Sequence, residues 1–139
     1  MTINPYLNFP GSSEEAFNFY KSVFGGEFTT LQRFKETPDG NKLSAALQEQ
    51  IMHIALPIAP GYTIMATDAP AEMGFSLQQG NNFYIAISPD SKEEATRLFN
   101  GLSAGGKIEM ELQDTFWGAY YGSFRDKFGV GWMVNYTHA

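Results

Sequence analysis

One pattern runs through this chain twice. Ser12-Ser13-Glu14-Glu15 opens an apolar-striped segment that halts at Gly25-Gly26 and resumes as Glu27-Phe28-Thr29. Ser91-Lys92-Glu93-Glu94 opens a second, which halts at Gly105-Gly106 and resumes as Lys107-Ile108-Glu109. The Gly pairs stand 80 positions apart and the leading serines 79. A strand–helix–strand unit used twice in 139 residues predicts one pseudo-symmetric domain, with its functional place in the cleft between the halves.

Local signals fill in each half. Ile3 to Phe9 reads as a strand ended by Pro10-Gly11. Ser12 with Glu15 three positions on is a capping-box signature, in which each side chain bonds a free backbone amide at a helix start. Ala16, Phe17, Tyr20, Val23 and Phe24 then share a helical stripe, and Gly25-Gly26 supplies the left-handed stop. Glu27 to Phe34 reads as a strand. Glu36 to Gln50 holds a turn at Pro38-Asp39-Gly40-Asn41, and its second half fits a short helix or a strand. Ile51 to Ile58 and Tyr62 to Thr67 form a hairpin around Ala59-Pro60-Gly61. Asp68 to Asn82 connects the halves. Phe83 to Ser88 is a strand, Ser91 caps a second helix with Ala95, Leu98, Phe99 and Leu102 inward, and Lys107 to Gln113, Ala119 to Phe124 and Gly131 to Tyr136 end the chain as strands. The prediction is an α+β fold of two βαβββ modules, module 1 about 1–68 and module 2 about 82–139, within one domain over 1–139.

Composition excludes several roles. A formal charge of −6 with nine scattered Lys and Arg gives no basic patch for nucleic acid or an anionic membrane. Cysteine is absent, which removes disulfides and thiolate chemistry. The first residues lack the basic and apolar regions of a signal peptide, and no apolar run approaches the roughly 18–20 residues of a bilayer span. A soluble cytoplasmic protein is the expectation.

The motifs Pro5-Tyr6-Leu7-Asn8-Phe9, Gly11, Glu15-Ala16, Phe19-Tyr20 and Val23-Phe24-Gly25 open the chain. Lys107-Ile108-Glu109-Met110, Thr115-Phe116-Trp117-Gly118 and Asp126-Lys127-Phe128-Gly129-Val130 with Trp132 close it. Together they resemble the PhnB-like proteins of the vicinal-oxygen-chelate superfamily, the group of glyoxalase I, bleomycin-resistance proteins and extradiol dioxygenases. Such chains often carry the label 3-demethylubiquinone 3-methyltransferase-like. The resemblance implies a cupped sheet from two modules (the glyoxalase/bleomycin-resistance fold) and a homodimer. In metal-dependent members it implies four ligands from the first and last strands of each half. Carried over by position these fall on Pro5, Met65, Tyr84 and Met133, and a one-residue slip substitutes Asn4 or Tyr6, Ile64 or Ala66, Phe83 or Ile85, and Trp132 or Val134. None is the imidazole or carboxylate a catalytic divalent ion takes. No metal and no cofactor are expected. A methyltransferase would need a cofactor-sized parallel-sheet domain, for which the chain has neither length nor pattern.

Other chemistry rests on few residues. His53, mid-strand in Met52-His53-Ile54, is either a partly buried imidazole bonded to a neighbour, or a cleft contact or general base. Asp68 either caps the next turn or orients a ligand, and Asp126 reads as a turn residue. Glu109 and Glu111 alternate along a strand and share a face, as a solvated pair or a carboxylate site. Trp117, Tyr120, Tyr121 and Trp132, with Tyr62 and Tyr84, form either core or a stacking pocket. Tyr120 and Tyr121 cannot both face the cleft. Met52, Met65, Met110 and Met133 add adaptable surface. The expected ligand contacts are His53, Met65, Tyr84, Trp117, Tyr121 and Met133, and the candidate catalytic residues are His53 and Asp68. The reading is a metal-free dimeric module for a small, partly aromatic or apolar molecule. The alternative is an enzyme using His53, Asp68 or Tyr84, or a metal site of another kind.

Overall fold

The computed structural model describes residues 1–137 and divides into two compact units, Met1–Gln78 and Gln79–Ala139. In the first, β1 (Tyr6–Phe9) leads into α1 (Ser13–Phe24), β2 (Thr30–Arg33), the short α2 (Ala45–Gln48), β3 (Ile51–Ala59) and β4 (Tyr62–Asp68). In the second, β5 (Ile85–Ile87) leads into α3 (Lys92–Ser103), β6 (Lys107–Asp114), β7 (Ala119–Arg125) and β8 (Gly131–Thr137). The sheets are ordered β1-β4-β3-β2 and β5-β8-β7-β6. The same path is traced twice: first strand parallel to the last, the other neighbours antiparallel. This is the predicted α+β repeat. Strands β1, β2 and β5 are shorter than their apolar runs, and Glu36 to Gln50 holds 3-10 turns and α2, with no strand.

Each helix buries its apolar stripe on one sheet face. Ala16, Phe17 and Tyr20 of α1 are buried with Leu7, Phe9, Ile54, Leu56, Ile64 and Ala66. Edge-to-face ring pairs, Phe9–Phe17 at 6.5 Å and Phe17–Tyr20 at 5.5 Å, fill this layer. Phe99 and Leu102 of α3 are buried with Phe124, Trp132 and Val134 of the sheet, the Phe99 and Phe124 rings 5.0 Å apart at 84°. Each Leu, Ile, Val or Phe side chain so buried contributes about 1.5–3 kcal/mol of hydrophobic transfer. Val23 and Phe24, expected on the same stripe, are half-buried at the end of α1. There Gly25 takes a positive φ of 82° with ψ −166°, outside the left-handed helical stop expected, and its N–H closes on the Lys21 carbonyl at 2.8 Å.

The two helix starts differ. Ser91 caps α3 as expected, its hydroxyl accepting the Glu94 N–H at 3.1 Å. The capping box at Ser12 does not form. Ser12 sits at φ −108°, ψ 16°, outside the extended conformation of a cap, and makes no side-chain cap bond. Asp68, at the end of β4, takes its place: Oδ1 accepts the Ser13 N–H at 3.0 Å and Oδ2 the Ile51 N–H at 2.8 Å. One carboxylate thus ties the starts of α1 and β3 to the end of β4. Asp126 does similar work in the second unit, accepting from the Phe128 and Val130 amides and from Trp132 Nε1 at 2.8–3.0 Å.

Candidate functional site

Alternation along a strand leaves each sheet with a face that its helix does not cover. In the first unit that face is fixed by register. Tyr6 pairs with Met65, Met65 with Ala55, Asn8 with Thr67, and Gln32 with His53. Paired residues project to the same side, so Tyr6, Asn8, His53, Met65 and Thr67 share the face opposite α1. Tyr6 and His53 join there directly. Their rings stack with centroids 5.5 Å apart and planes 23° from parallel, and the Tyr6 hydroxyl is hydrogen-bonded to His53 Nδ1 at 3.0 Å. Burial of part of its ring raises the Tyr6 hydroxyl above the ordinary tyrosine value. It stays a neutral, polar tip at physiological pH.

Asp68 stands apart from this face. It is only 1% exposed and both carboxylate oxygens are taken by backbone amides, so it anchors the fold and presents no free oxygen for acid–base work. The expected cap of the next turn is replaced by these bonds to the starts of α1 and β3. The carried-over metal position shifts too. Pro5 is off the Met65 face and offers its carbonyl to the Met65 N–H at 3.1 Å, while Tyr6 is the register partner. Tyr6 is the residue that sequence reasoning missed, present there only as a one-residue slip. The parallel pairing of β1 with β4, which no local signal encodes, decides between them.

In the second unit the uncovered face carries Tyr121, Ser123 and Arg125 of β7 with Asn135, Met133 and Gly131 of β8. Tyr120 turns the other way, its hydroxyl 3.0 Å from Thr96 of α3. Trp117 packs on Tyr121 at 6.2 Å and remains 57% exposed. Tyr84 borders Gly131, since a Cβ placed there would stand 3.0 Å from the Tyr84 ring. Tyr84, Tyr121 and Met133 are therefore on one face, with Trp117 at its rim. Trp132 belongs to the core beneath α3 and leaves the candidate pocket. Tyr62 is exposed at the β3–β4 hairpin of the first unit. Glu109 and Glu111 do not alternate cleanly, because β6 is interrupted by register shifts on either side of Met110. Glu109 is drawn to Tyr84, whose hydroxyl donates to its Oε1 at 2.7 Å.

The donor set does not fit a divalent cation. Phenol and thioether groups occupy the superfamily's ligand places, where imidazole and carboxylate are required. Among the described residues no three His, Cys, Asp or Glu side chains converge as a metal-ligand set. A separate groove of about 370 Å³ lies in the first unit between Pro10, Leu47, Gln50, Pro70, Phe75 and Leu77. Among the described residues no helix is long and apolar enough to cross a membrane.

Known proteins place this arrangement. A family profile described as Glyoxalase/Bleomycin resistance protein/Dioxygenase superfamily matches residues 2–134. Protein YjdN of Escherichia coli (strain K12) is 36% identical over 143 residues, covering 97% of this chain and 95% of its own. The crystal structure of protein PA1353 from Pseudomonas aeruginosa is similar at TM-score 0.87 and 37% identity, covering 100% of this chain and 99% of that one. The PhnB protein from Bacillus cereus is similar at TM-score 0.78 and 25% identity, covering 99% and 100%. With two βαβββ units and these relatives, the chain belongs to the glyoxalase/bleomycin resistance protein/dioxygenase superfamily.

Proposed function

We propose that this protein is a metal-free binding module that holds a small, flat organic molecule, and that the face around Tyr6 and His53 is where the molecule rests. The observation that supports this most is the stacked, hydrogen-bonded Tyr6–His53 pair. The hydrogen bond holds both rings as a preset surface, and Tyr6 keeps 47% of its area exposed for a ligand to cover. Met65 beside the pair conforms to an apolar outline, while Asn8 and Thr67 supply the few polar contacts that orient a ligand in such sites. A thermal-shift screen of planar metabolites and antibiotics tests the reading, since a ligand selective for the folded state raises Tm with concentration. A hit should lose about tenfold in affinity, roughly 1.4 kcal/mol, in His53→Ala. A panel with no saturable shift, or hits indifferent to His53→Ala, would count against it.

A homodimer is part of the proposal. It is supported by edge strand β6, whose Ile108 and Met110 are exposed, and by Phe116 and Trp117 in the following turn, with Phe116 98% exposed. An unpaired edge strand bearing exposed apolar side chains is a place where chains associate. A monomeric mass by light scattering at micromolar concentration would contradict it. Acid–base catalysis is the second reading, favoured by the same Tyr6–His53 bond, along which a proton can move. It requires turnover that disappears in both Tyr6→Phe and His53→Ala while folding persists.

A further inference from the structure

We infer that the uncovered face of the second sheet holds a separate subsite for a carboxylate, centred on Arg125. The inference does not rest on the Tyr6–His53 reading. Arg125 ends β7 between Lys107 on β6 and Gly131 on β8. A Cβ on residue 131 would stand 2.7 Å from Arg125 Nη1 and 2.9 Å from Cζ. The guanidinium therefore lies flat in space that only glycine leaves free. The Tyr84 ring lies 4.6 Å from Cζ in a cation–π contact, and Nη2 donates to the Asn81 carbonyl at 3.0 Å. Three contacts thus fix the orientation of one cation.

The fixed group is not saturated. Of its five N–H donors, one makes a hydrogen bond among the described residues. The Glu109 carboxylate stands 3.6 Å from Nε, in ion-pair range but beyond a hydrogen bond. Glu109 is aimed there by an irregularity in β6: pairing jumps from Ile108 with Phe124 to Met110 with Ser123, leaving Glu109 as an extra residue. Lys107 lies directly across from Arg125, a like-charge neighbour that costs stability unless an anion intervenes. Glu109 pairs with Arg125, and Lys107 makes no ion pair among the described residues, so these three groups carry one positive charge in surplus within a chain of net charge −6. A single surplus charge and a planar donor fork suit a carboxylate. A phosphate dianion would meet Glu109 with repulsion that one surplus cation does not offset. Ser123, Met133 and Tyr121 continue the face beyond Arg125, giving a hydroxyl and an apolar floor for the body of an aromatic carboxylate.

Titration with benzoate, its neutral counterpart benzamide, and inorganic phosphate, read by amide NMR shifts on the intact chain, tests this. Benzoate should bind saturably and at least about tenfold more tightly than benzamide or phosphate, the margin of a charge-assisted fork. Arg125→Gln should abolish that preference. Glu109→Gln, which removes the competing carboxylate, should tighten benzoate binding. His53→Ala should leave it unchanged. Equal binding of benzoate and benzamide, or preference for phosphate, would overturn the subsite. Benzoate binding kept in Arg125→Gln but lost in His53→Ala would overturn it while supporting the Tyr6–His53 face. Should Arg125→Gln fail to fold, Glu109→Gln decides alone: tighter binding supports the subsite, and unchanged or weaker binding refutes it.

Discussion

Removing the Asp68 carboxylate should unfasten the first unit, and the cost follows from its contacts. Asp68→Ala strands the Ser13 and Ile51 amides in a place that the native side chain leaves 1% exposed. Each buried donor without a partner costs about 1–3 kcal/mol, so the pair costs about 2–6 kcal/mol. The Ser13 amide also stands at the positive end of α1, where a negative charge adds to stability. For a chain of this length 1 kcal/mol is roughly 3–4 °C, so the melting temperature should fall by about 6–24 °C. Asp68→Asn keeps one acceptor but turns an NH₂ toward the other amide, and should lose about half as much. Thermal melts and urea titrations followed by circular dichroism measure both variants. If both melt within about 2 °C of the parent, less than 1 kcal/mol by the same conversion, the anchoring role is refuted. A stable Asp68→Asn that loses ligand binding would instead return Asp68 to the site.

Other outcomes follow from single contacts. Gly122→Ala would place a Cβ 2.6 Å from the Phe99 ring and 2.9 Å from the Leu112 backbone, so overpacking should cost about 1–3 kcal/mol; a parent-like melt would show that β6 and β7 yield there. Hydrogen bonds from Arg33 hold the Glu14 carboxyl below its ordinary range against the opposing effect of burial. A lowered value contributes stability that is present above the unfolded titration and is lost as pH falls through the folded one. Glu14→Gln should therefore be less stable than the parent by up to about 1 kcal/mol at neutral pH, with the gap closing below about pH 4; a gap independent of pH in urea titrations would contradict this. Burial raises the Tyr6 hydroxyl, so its contribution is complete below the ordinary tyrosine value and declines as pH rises beyond it. The parent should lose stability above about pH 10 more steeply than Tyr6→Phe, and parallel curves would refute the assignment.

The doubled topology was legible because each half repeats the same punctuation, serine before the helix and glycine after it. What remained hidden depended on distant partners. Ser12 and Ser91 carry the same Ser-x-x-Glu text, yet only Ser91 caps, because Asp68 reaches the start of α1 from 55 residues away. Tyr6 and Pro5 could not be ranked from sequence, since a strand's period of two leaves its phase open until its neighbour sets it. His53 was singled out as a rare imidazole in a strand, but its stacking partner lies on β1, 47 residues earlier. The Arg125 group was invisible for a related reason. It depends on a bulge at Glu109 and on the space above Gly131, and strict alternation predicts neither.

The central claim, that the Tyr6–His53 face receives the ligand, is most directly tested by mapping amide and methyl NMR shifts as a thermal-shift hit is titrated. Saturating shifts should centre on Asn8, His53, Met65 and Thr67, all reduced in Tyr6→Leu. Shifts centred instead on Leu47, Phe75 and Leu77, around the separate groove of the first unit, would contradict it.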